Sequence, residues 1–212
     1  MNPLVYLALE QLYTTFAPAY DLVARLVSRG EWQAWGQVAL GFLPEGGRVL
    51  ELAHGPGHLY LALARRGYWT VALDRSAQMS RLLRQRSLQA LGSPARQARA
   101  DAQRLPFRSQ SFDAVVCTFP TRFILLPQTL SEIRRVLRPE GVCVIVPAAE
   151  LRGNDPVARL LRLAYRLTGQ HRLRSERARS VFEAAGYTFR EAVRDTLRAR
   201  VTVWTLTPLT QG

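Results

Sequence analysis

The sequence predicts an α/β fold: a seven-stranded, mostly parallel sheet with helices on both faces, an antiparallel C-terminal hairpin and an N-terminal helical cap. Three observations lead there. From about residue 46, short apolar runs alternate with stretches of helical periodicity. Repeated strand–helix units of this kind pack as a parallel sheet between helix layers. The first of these strands runs into a Gly/Pro loop that opens a helix. The last two strand-like stretches lie too close together for a crossover helix, so they pair antiparallel.

Residues 1–45 read as helices, because Trp32, Trp35, Ala39, Phe42 and Leu43 recur at helical spacing and form one apolar stripe. Pro44-Glu45-Gly46-Gly47 breaks that pattern. Residues 48–52 (RVLEL) form a strand, 53–57 a loop, and 58–66 a helix that Gly67 ends. Residues 69–73 are a second strand and 76–91 a helix stopped at Gly92-Ser93-Pro94. A weak strand follows at 95–100 and a buried one at 112–118. The next helix includes 130–137 and stops before Arg138-Pro139-Glu140-Gly141. Residues 142–146 (VCVIV) are apolar enough for the centre of a sheet. A basic amphipathic helix at 155–167, a helix at 175–185 stopped by Gly186, and strands at 188–193 and 200–206 complete the chain. The arrangement is Rossmann-like and reads as one domain: cap 1–45, core 46–150, and C-terminal helices and hairpin 151–212.

Composition excludes several classes. At 48% hydrophobic and 21% charged residues, the 212-residue chain is neither disordered nor of low complexity. No apolar run approaches the roughly 18 residues that a membrane span needs. The opening MNPLVYLALEQLY has no basic segment and carries Glu10, so it does not read as a secretory signal. Cys117 and Cys143 sit inside apolar runs and read as buried, reduced thiols of a cytoplasmic protein; no metal site is expected. The net charge is +13, and all 29 basic residues are arginine. Guanidinium suits phosphate or carboxylate recognition. No RRM, KH or zinc-finger signature accompanies it, which argues against a nucleic-acid partner. The basic helix at 155–167 leaves peripheral membrane contact open, and nothing sets an oligomeric state.

In an open α/β sheet, ligands bind beyond the carboxyl ends of the strands. The first strand ends in Glu51-Leu52-Ala53-His54-Gly55-Pro56-Gly57-His58. Gly55 and Gly57 permit a tight turn and close approach of a ligand to the backbone. The helix that follows presents free N–H groups, which favour a negative group. Asp74 ends the second strand, where a carboxylate accepts both hydroxyls of a ribose. A dinucleotide site would want a third glycine where Tyr60 stands. It would also bring a pyrophosphate up to Glu51, which repels it, whereas an amino-acid ammonium is attracted by the same carboxylate. The combination points to S-adenosylmethionine, which carries an ammonium, a carboxylate, a sulfonium and an adenosine. His54 and His58 read as loop and helix-start residues, and His171 as solvated.

RVLELAHGPGHLYLALARRG, VALDRSAQM, ADAQRLPFRSQSFDAVVCTF and LSEIRRVLRPEGVCVIV follow one another in order. Together they resemble the class I S-adenosylmethionine-dependent methyltransferases (methyltransferase type 11). The particular likeness is to the ubiquinone/menaquinone-biosynthesis-methylase-like group, over residues 20 to about 147. The resemblance implies that Glu51 helps hold the methionine ammonium, with backbone carbonyls at Ala53 and near Thr118. It implies Asp74 on the ribose, Arg75 beside it in the cofactor shell, and Met79 beside the adenine. Asp101 would accept from the adenine amino group, and the Ala102 N–H would face the adenine ring. The family's first loop glycine is Ala53 here; its methyl is tolerable if φ is negative and would tighten the cofactor's path.

FAPAYDLVARLVSRGEWQAW resembles the group's N-terminal segment, which covers the cofactor and shapes the acceptor pocket. Tyr20 is the catalytic candidate there, with Asp21 and Glu150 behind it as possible bases. Phe119-Pro120-Thr121-Arg122-Phe123 lacks the Asn/Asp-Pro-Pro-aromatic signature of nucleobase-methylating enzymes. Phe119, Phe123 and Ile124 read as an apolar acceptor wall, with Arg122 as an anion handle or a solvated loop residue. The expectation is methyl transfer to O, N or C of a small or lipophilic acceptor. Two other readings stay open on the sequence. One is a non-catalytic protein of the same fold with an RNA or anionic-membrane partner. The other is a nucleotide-dependent oxidoreductase.

Overall fold

Short β-branched runs set the strands, and Gly/Pro breaks separate them from the helices. The computed structural model describes Ser28 and residues 30–152 and 175–209. Helix α1 (Trp32–Gln37) continues into a 3-10 turn (Val38–Phe42). Then come β1 (Arg48–Leu52), α2 (His58–Arg65), β2 (Trp69–Asp74), α3 (Ala77–Leu91), β3 (Gln97–Arg99) and β4 (Phe112–Thr118). A second 3-10 turn (Arg122–Leu125) leads to α4 (Pro127–Val136), β5 (Leu137–Leu151), α5 (Ser175–Ala184), β6 (Tyr187–Asp195) and β7 (Ala199–Pro208).

The seven strands form one sheet in the order β3-β2-β1-β4-β5-β7-β6. β1 to β5 are parallel, and β7 runs antiparallel between β5 and β6. The period of two along each strand sorts side chains onto two faces. Leu50, Val115 and Ile145 pack with Leu130 and Ile133 of α4 and Phe182 of α5. Val49, Val116 and Val144 pack on the other face with Trp35 of α1 and with Leu59 and Leu63 of α2. The connections leave β1 in opposite directions, towards β2 and β4, so the crevice at the carboxyl ends of β1 and β4 is the switch point of the sheet.

Most elements lie where the sequence places them, and the exceptions have local causes. Ser76 is not inside its helix but caps it, accepting the Met79 N–H at 3.3 Å. The fifth strand is longer than residues 142–146 at both ends. Arg138–Gly141, expected as a turn, survives as a bulge within it: Phe112 pairs with Leu137 and Ala114 already with Val142. Residues 148–151 extend the strand because they pair with β7 alone, a pairing that an apolar run does not announce. The helix expected at 155–167 lies outside the described residues, as do Tyr20, Asp21 and His171. Cys117 and Cys143 are buried free thiols, and burial pushes the Cys143 thiol up to about 12. No described helix is long and apolar enough to cross a membrane.

Tyr187, buried at the start of β6, donates its hydroxyl to the Leu130 carbonyl at 2.7 Å and ties the hairpin to α4. Tyr187→Phe is expected to lower stability by about 1 kcal/mol, or roughly 2–4 °C in Tm for a chain of this size. An unchanged melting temperature would show that this bond adds nothing to the hairpin's docking.

Candidate functional site

Glu51 is the penultimate residue of β1 and is 2% exposed. In register it lies beside Ala72 and Val116, so its side chain points to the face that α1 and α2 cover. Its Oε2 is buried with no hydrogen-bond partner among the described residues. Burial, with the neighbouring Asp74 carboxylate adding to it, pushes the Glu51 carboxyl well above its ordinary value. A buried carboxylate with a bare oxygen is a place where a cationic ligand gains most. The residues therefore fit the ammonium of an amino acid.

The loop after β1 is held from several sides. The Gly55 N–H donates to Asp74 Oδ2 at 3.0 Å, and the Ser76 N–H to Asp74 Oδ1 at 2.8 Å. Both carboxylate oxygens are thus oriented by backbone, and each keeps a further lone pair for a ligand hydroxyl. Gly57 has φ of 87°, a backbone conformation that strains any other residue, and a Cβ there would also meet the buried Leu83 side chain of α3. No side chain caps the start of α2, which leaves its first N–H groups to a ligand. Tyr60, at the position of a third glycine, accepts the Arg96 N–H at 2.9 Å and pins β3 to α2.

The next strand ends carry the remaining expected residues. Asp101 Oδ1 accepts the Gln103 N–H at 2.9 Å, and its Oδ2 lies 3.7 Å from Arg75 Nη1. Arg75 thereby bridges the ends of β2 and β3, and Asp101 does duty as a turn cap as well as a rim carboxylate. Ala102 and Met79 are both buried. Thr118, the last residue of β4, is half-buried. A Cβ on Gly36 would sit 3.7 Å from its Cγ2, so α1 crosses close over it.

Two non-glycine residues next to this crevice adopt left-handed backbone: Ala53 at φ 52° and Phe119 at φ 50°. For Ala53 the negative φ that would make its methyl easily tolerated is not met; the chain reverses so sharply after β1 that alanine takes the glycine conformation. Phe119 stacks on Trp32 with ring centroids 4.4 Å apart and meets Trp35 edge-on at 6.4 Å. The acceptor wall expected from Phe119, Phe123 and Ile124 is not one surface. Ile124 is fully buried and Phe123 packs with it against the opposite core, whereas Phe119 belongs to the Trp35 face. The aromatic partner of Phe119 is Trp32. Arg122 is exposed.

Three residues have roles that their sequence context hides. His54 is buried, its Nδ1 lies 2.7 Å from the Gly55 carbonyl, and its Nε2 has no partner. Burial lowers the imidazole pKa against smaller opposing pulls from Asp74 and that carbonyl, so the ring is neutral, donates from Nδ1 and leaves Nε2 bare. Arg86 Nη1 donates to the Pro56 carbonyl at 3.1 Å and braces the loop from α3. Glu31 accepts from Trp35 Nε1 at 3.1 Å and from the Thr196 hydroxyl at 2.8 Å, linking α1 to the turn between β6 and β7. None of these contacts has a local motif. A cavity of about 470 Å³ lined by Pro44, Asp113 and Arg138 lies at the amino ends of the strands, away from these groups.

Residues 50–145 match a family described as a methyltransferase domain. The chain is 34% identical to the demethylmenaquinone methyltransferase of Deinococcus radiodurans over 189 residues, covering 86% of this chain and 75% of that protein. It is 34% identical to the ubiquinone/menaquinone biosynthesis C-methyltransferase of Geobacter sulfurreducens over 167 residues, covering 74% of this chain and 62% of that one. It thus spans less than two thirds of the Geobacter protein. A solved structure from Methanococcus maripaludis, classed with the S-adenosyl-L-methionine-dependent methyltransferases, superposes with a TM-score of 0.67. That match has 17% identity and covers 92% of this chain and 93% of the other.

The raised Glu51 pKa has a signed consequence for stability. The folded protein holds this proton more tightly than the unfolded chain, so the stabilisation it contributes is whole below about pH 4.5 and is lost as pH rises towards the folded value. Glu51→Gln escapes that loss. Its melting temperature is expected to exceed that of the parent at neutral pH, with the gap closing below pH 4.5, the ordinary value of the group. A variant less stable than the parent at pH 7 would mean that Glu51 has a partner in the fold. Ala53→Gly relieves a left-handed alanine, a strain of roughly 1–2 kcal/mol partly offset by the freer unfolded chain. A rise of about 2–4 °C in Tm is expected, and a fall would contradict the strain.

Proposed function

The chain belongs to the class I S-adenosylmethionine-dependent methyltransferases, among the relatives of the quinone-biosynthesis C-methyltransferases, and on that premise we propose that it methylates a ring carbon of a lipophilic quinol. The observation that carries the cofactor half of this reading is the buried, unpartnered Glu51 oxygen at the end of β1. The acceptor half is supported by the half-buried Trp32–Phe119 stack on the same face of the sheet and by the names that the two relatives carry.

S-adenosylmethionine, when bound, supplies an electrophilic methyl group on a sulfonium. Glu51 as an ionised carboxylate holds the ammonium end, and ion pairing offsets the burial that raises its pKa in the free protein. Asp74, oriented by the Gly55 and Ser76 N–H groups, takes the ribose hydroxyls. Arg75 and Asp101 form the rim at the adenine end. Ala53 and Thr118 offer backbone carbonyls on either side of the switch point, and Ala102 and Met79 close the adenine side. Trp32 and Phe119 present flat apolar surface to an aromatic ring, and α1 over Thr118 keeps water from the crevice. Alignment of acceptor and methyl carbon supplies much of the rate.

A hydroquinone needs little more from the protein. Loss of its hydroxyl proton makes the neighbouring ring carbon the nucleophile. With S-adenosylmethionine bound, that carbon would take its methyl group with S-adenosylhomocysteine as the leaving group, and the ring would then lose its hydrogen as a proton. Tyr20 is placed in this reading as the residue that orients or receives the hydroxyl proton.

The direct assay supplies a reduced, demethylated naphthoquinol and methyl-labelled S-adenosylmethionine. Label on a ring carbon with one equivalent of S-adenosylhomocysteine is the expected result. Label on nitrogen of a small amine instead, with none on the quinol, would overturn the acceptor. Asp74→Ala removes two charged hydrogen bonds worth about 1.5–3 kcal/mol each. Calorimetry should therefore show S-adenosylmethionine bound at least about tenfold more weakly; unchanged affinity would remove Asp74 from the ribose.

A further inference from the structure

β5 outruns the parallel part of the sheet. Val146 pairs with Thr118, the last residue of β4, whereas residues 148–151 pair with β7 alone. At roughly 3.3 Å per residue, the β5–β7–β6 extension stands roughly 15 Å beyond the level where β4 ends. It rises from the same edge as the cofactor loop. Trp35 of α1 shares an apolar cluster with Leu151, Ala199 and Val201, so α1 backs the extension up to its outer end.

The summit is the turn Thr196-Leu197-Arg198, and it is built rather than loose. The Thr196 N–H donates to the Ala199 carbonyl at 2.8 Å, and the Arg152 N–H to the Arg198 carbonyl at 2.6 Å. Glu31 Oε2 accepts both the Thr196 hydroxyl at 2.8 Å and the Arg198 N–H at 3.2 Å. On this fixed backbone Leu197 is 86% exposed, more than any other large hydrophobic residue described. Arg152, Arg194, Arg198 and Arg200 surround it, all exposed. Three carboxylates face them. Asp195 pairs with Arg152 at 2.7 Å and lies 3.8 Å from Arg200. Glu150 sits opposite Arg200 in register, and Glu31 is engaged by the turn. Arg194 lies 4.8 Å over the Phe42 ring. Arg194 and Arg198 form no ion pair among the described residues.

We propose that this turn is a membrane-docking finger: Leu197 enters the headgroup–acyl boundary of an anionic bilayer while the surrounding arginines bind lipid phosphates, so that the carboxyl edge of the sheet faces the membrane. The inference rests on the lipophilic acceptor argued above, which would then reach the site without crossing water. One apolar side chain holds weakly by itself, and arginines beside an anionic surface add their attraction to it. A single-stranded nucleic acid would be met by exposed aromatic rings for stacking. The tip carries none.

The test is co-sedimentation of the full chain with phosphatidylcholine vesicles, with and without phosphatidylglycerol, in the absence of cofactor and acceptor. Binding to the anionic vesicles only is expected. It should fall by about tenfold or more in Leu197→Glu and in the double variant Arg194→Gln/Arg198→Gln. Arg48→Gln/Arg96→Gln, which strips the arginines stacked on Trp69 at the opposite edge, should bind like the parent. Equal loss in that control would reduce the effect to bulk charge and overturn the finger. So would parent-like binding by Leu197→Glu, or retention of the parent on RNA but on neither vesicle. Turnover of a short-chain, water-soluble quinol is the separate arm. If the parent binds anionic vesicles but does not methylate that quinol, the acceptor reading fails while the docking surface stands.

Discussion

A carboxyl group with one bare oxygen is buried at the end of the first strand, and the rest of the site is arranged around that cost. Leaving a buried acceptor unmade costs on the order of 1–3 kcal/mol, and Glu51 has no described partner for Oε2. Burial, with Asp74 as a second cause, raises the carboxyl's pKa well above its ordinary value and so favours the neutral form. The position is not incidental. Glu51 stands at the switch point of the sheet, where the chain leaves β1 towards β2 on one side and β4 on the other. Strand ends there are free of crossing connections, so a ligand can reach between them. In the proposed reading, a cation that binds there would offset what burial costs the free protein.

The same crevice stores backbone strain. Ala53 follows β1 and Phe119 follows β4, and both are left-handed without being glycine. Such residues persist where neighbouring contacts over-determine them, and they gather at ligand sites. Phe119 is held by its N–H bond to the Val146 carbonyl at 2.7 Å and by its stack on Trp32. In the loop, the Gly55–Asp74 and Arg86–Pro56 bonds fix the turn that follows Ala53. Backbone strain at Ala53 and Phe119 and a carboxyl oxygen without a described partner at Glu51 thus share one crevice.

The sheet was legible because its strands are written as apolar runs separated by Gly/Pro breaks. β1 and β4 fall at the bounds that RVLEL and FDAVVCT suggest. The tight loop after β1 was legible for a related reason: glycine spacing is local. What stayed hidden depends on partners distant in sequence. The upper half of β5 is a strand only because β7 pairs with it. Ile124 looked like a wall residue by proximity to Phe119, yet the turn after β4 carries it to the other face. Glu31 meets Thr196 across 165 positions, and no spacing rule reaches that far. The sign of φ at Ala53 is likewise set by how tightly the chain reverses, which composition does not record.

The central claim is that the Glu51 carboxyl recognises an amino-acid ammonium. Calorimetric comparison of S-adenosylhomocysteine with its analogue lacking only the amino group tests this on the unaltered protein. A desolvated charge pair of this kind is worth roughly 1.5–3 kcal/mol, so the analogue should bind about tenfold to a hundredfold more weakly. Equal affinities for the two compounds would contradict the claim and leave the buried carboxyl without a function.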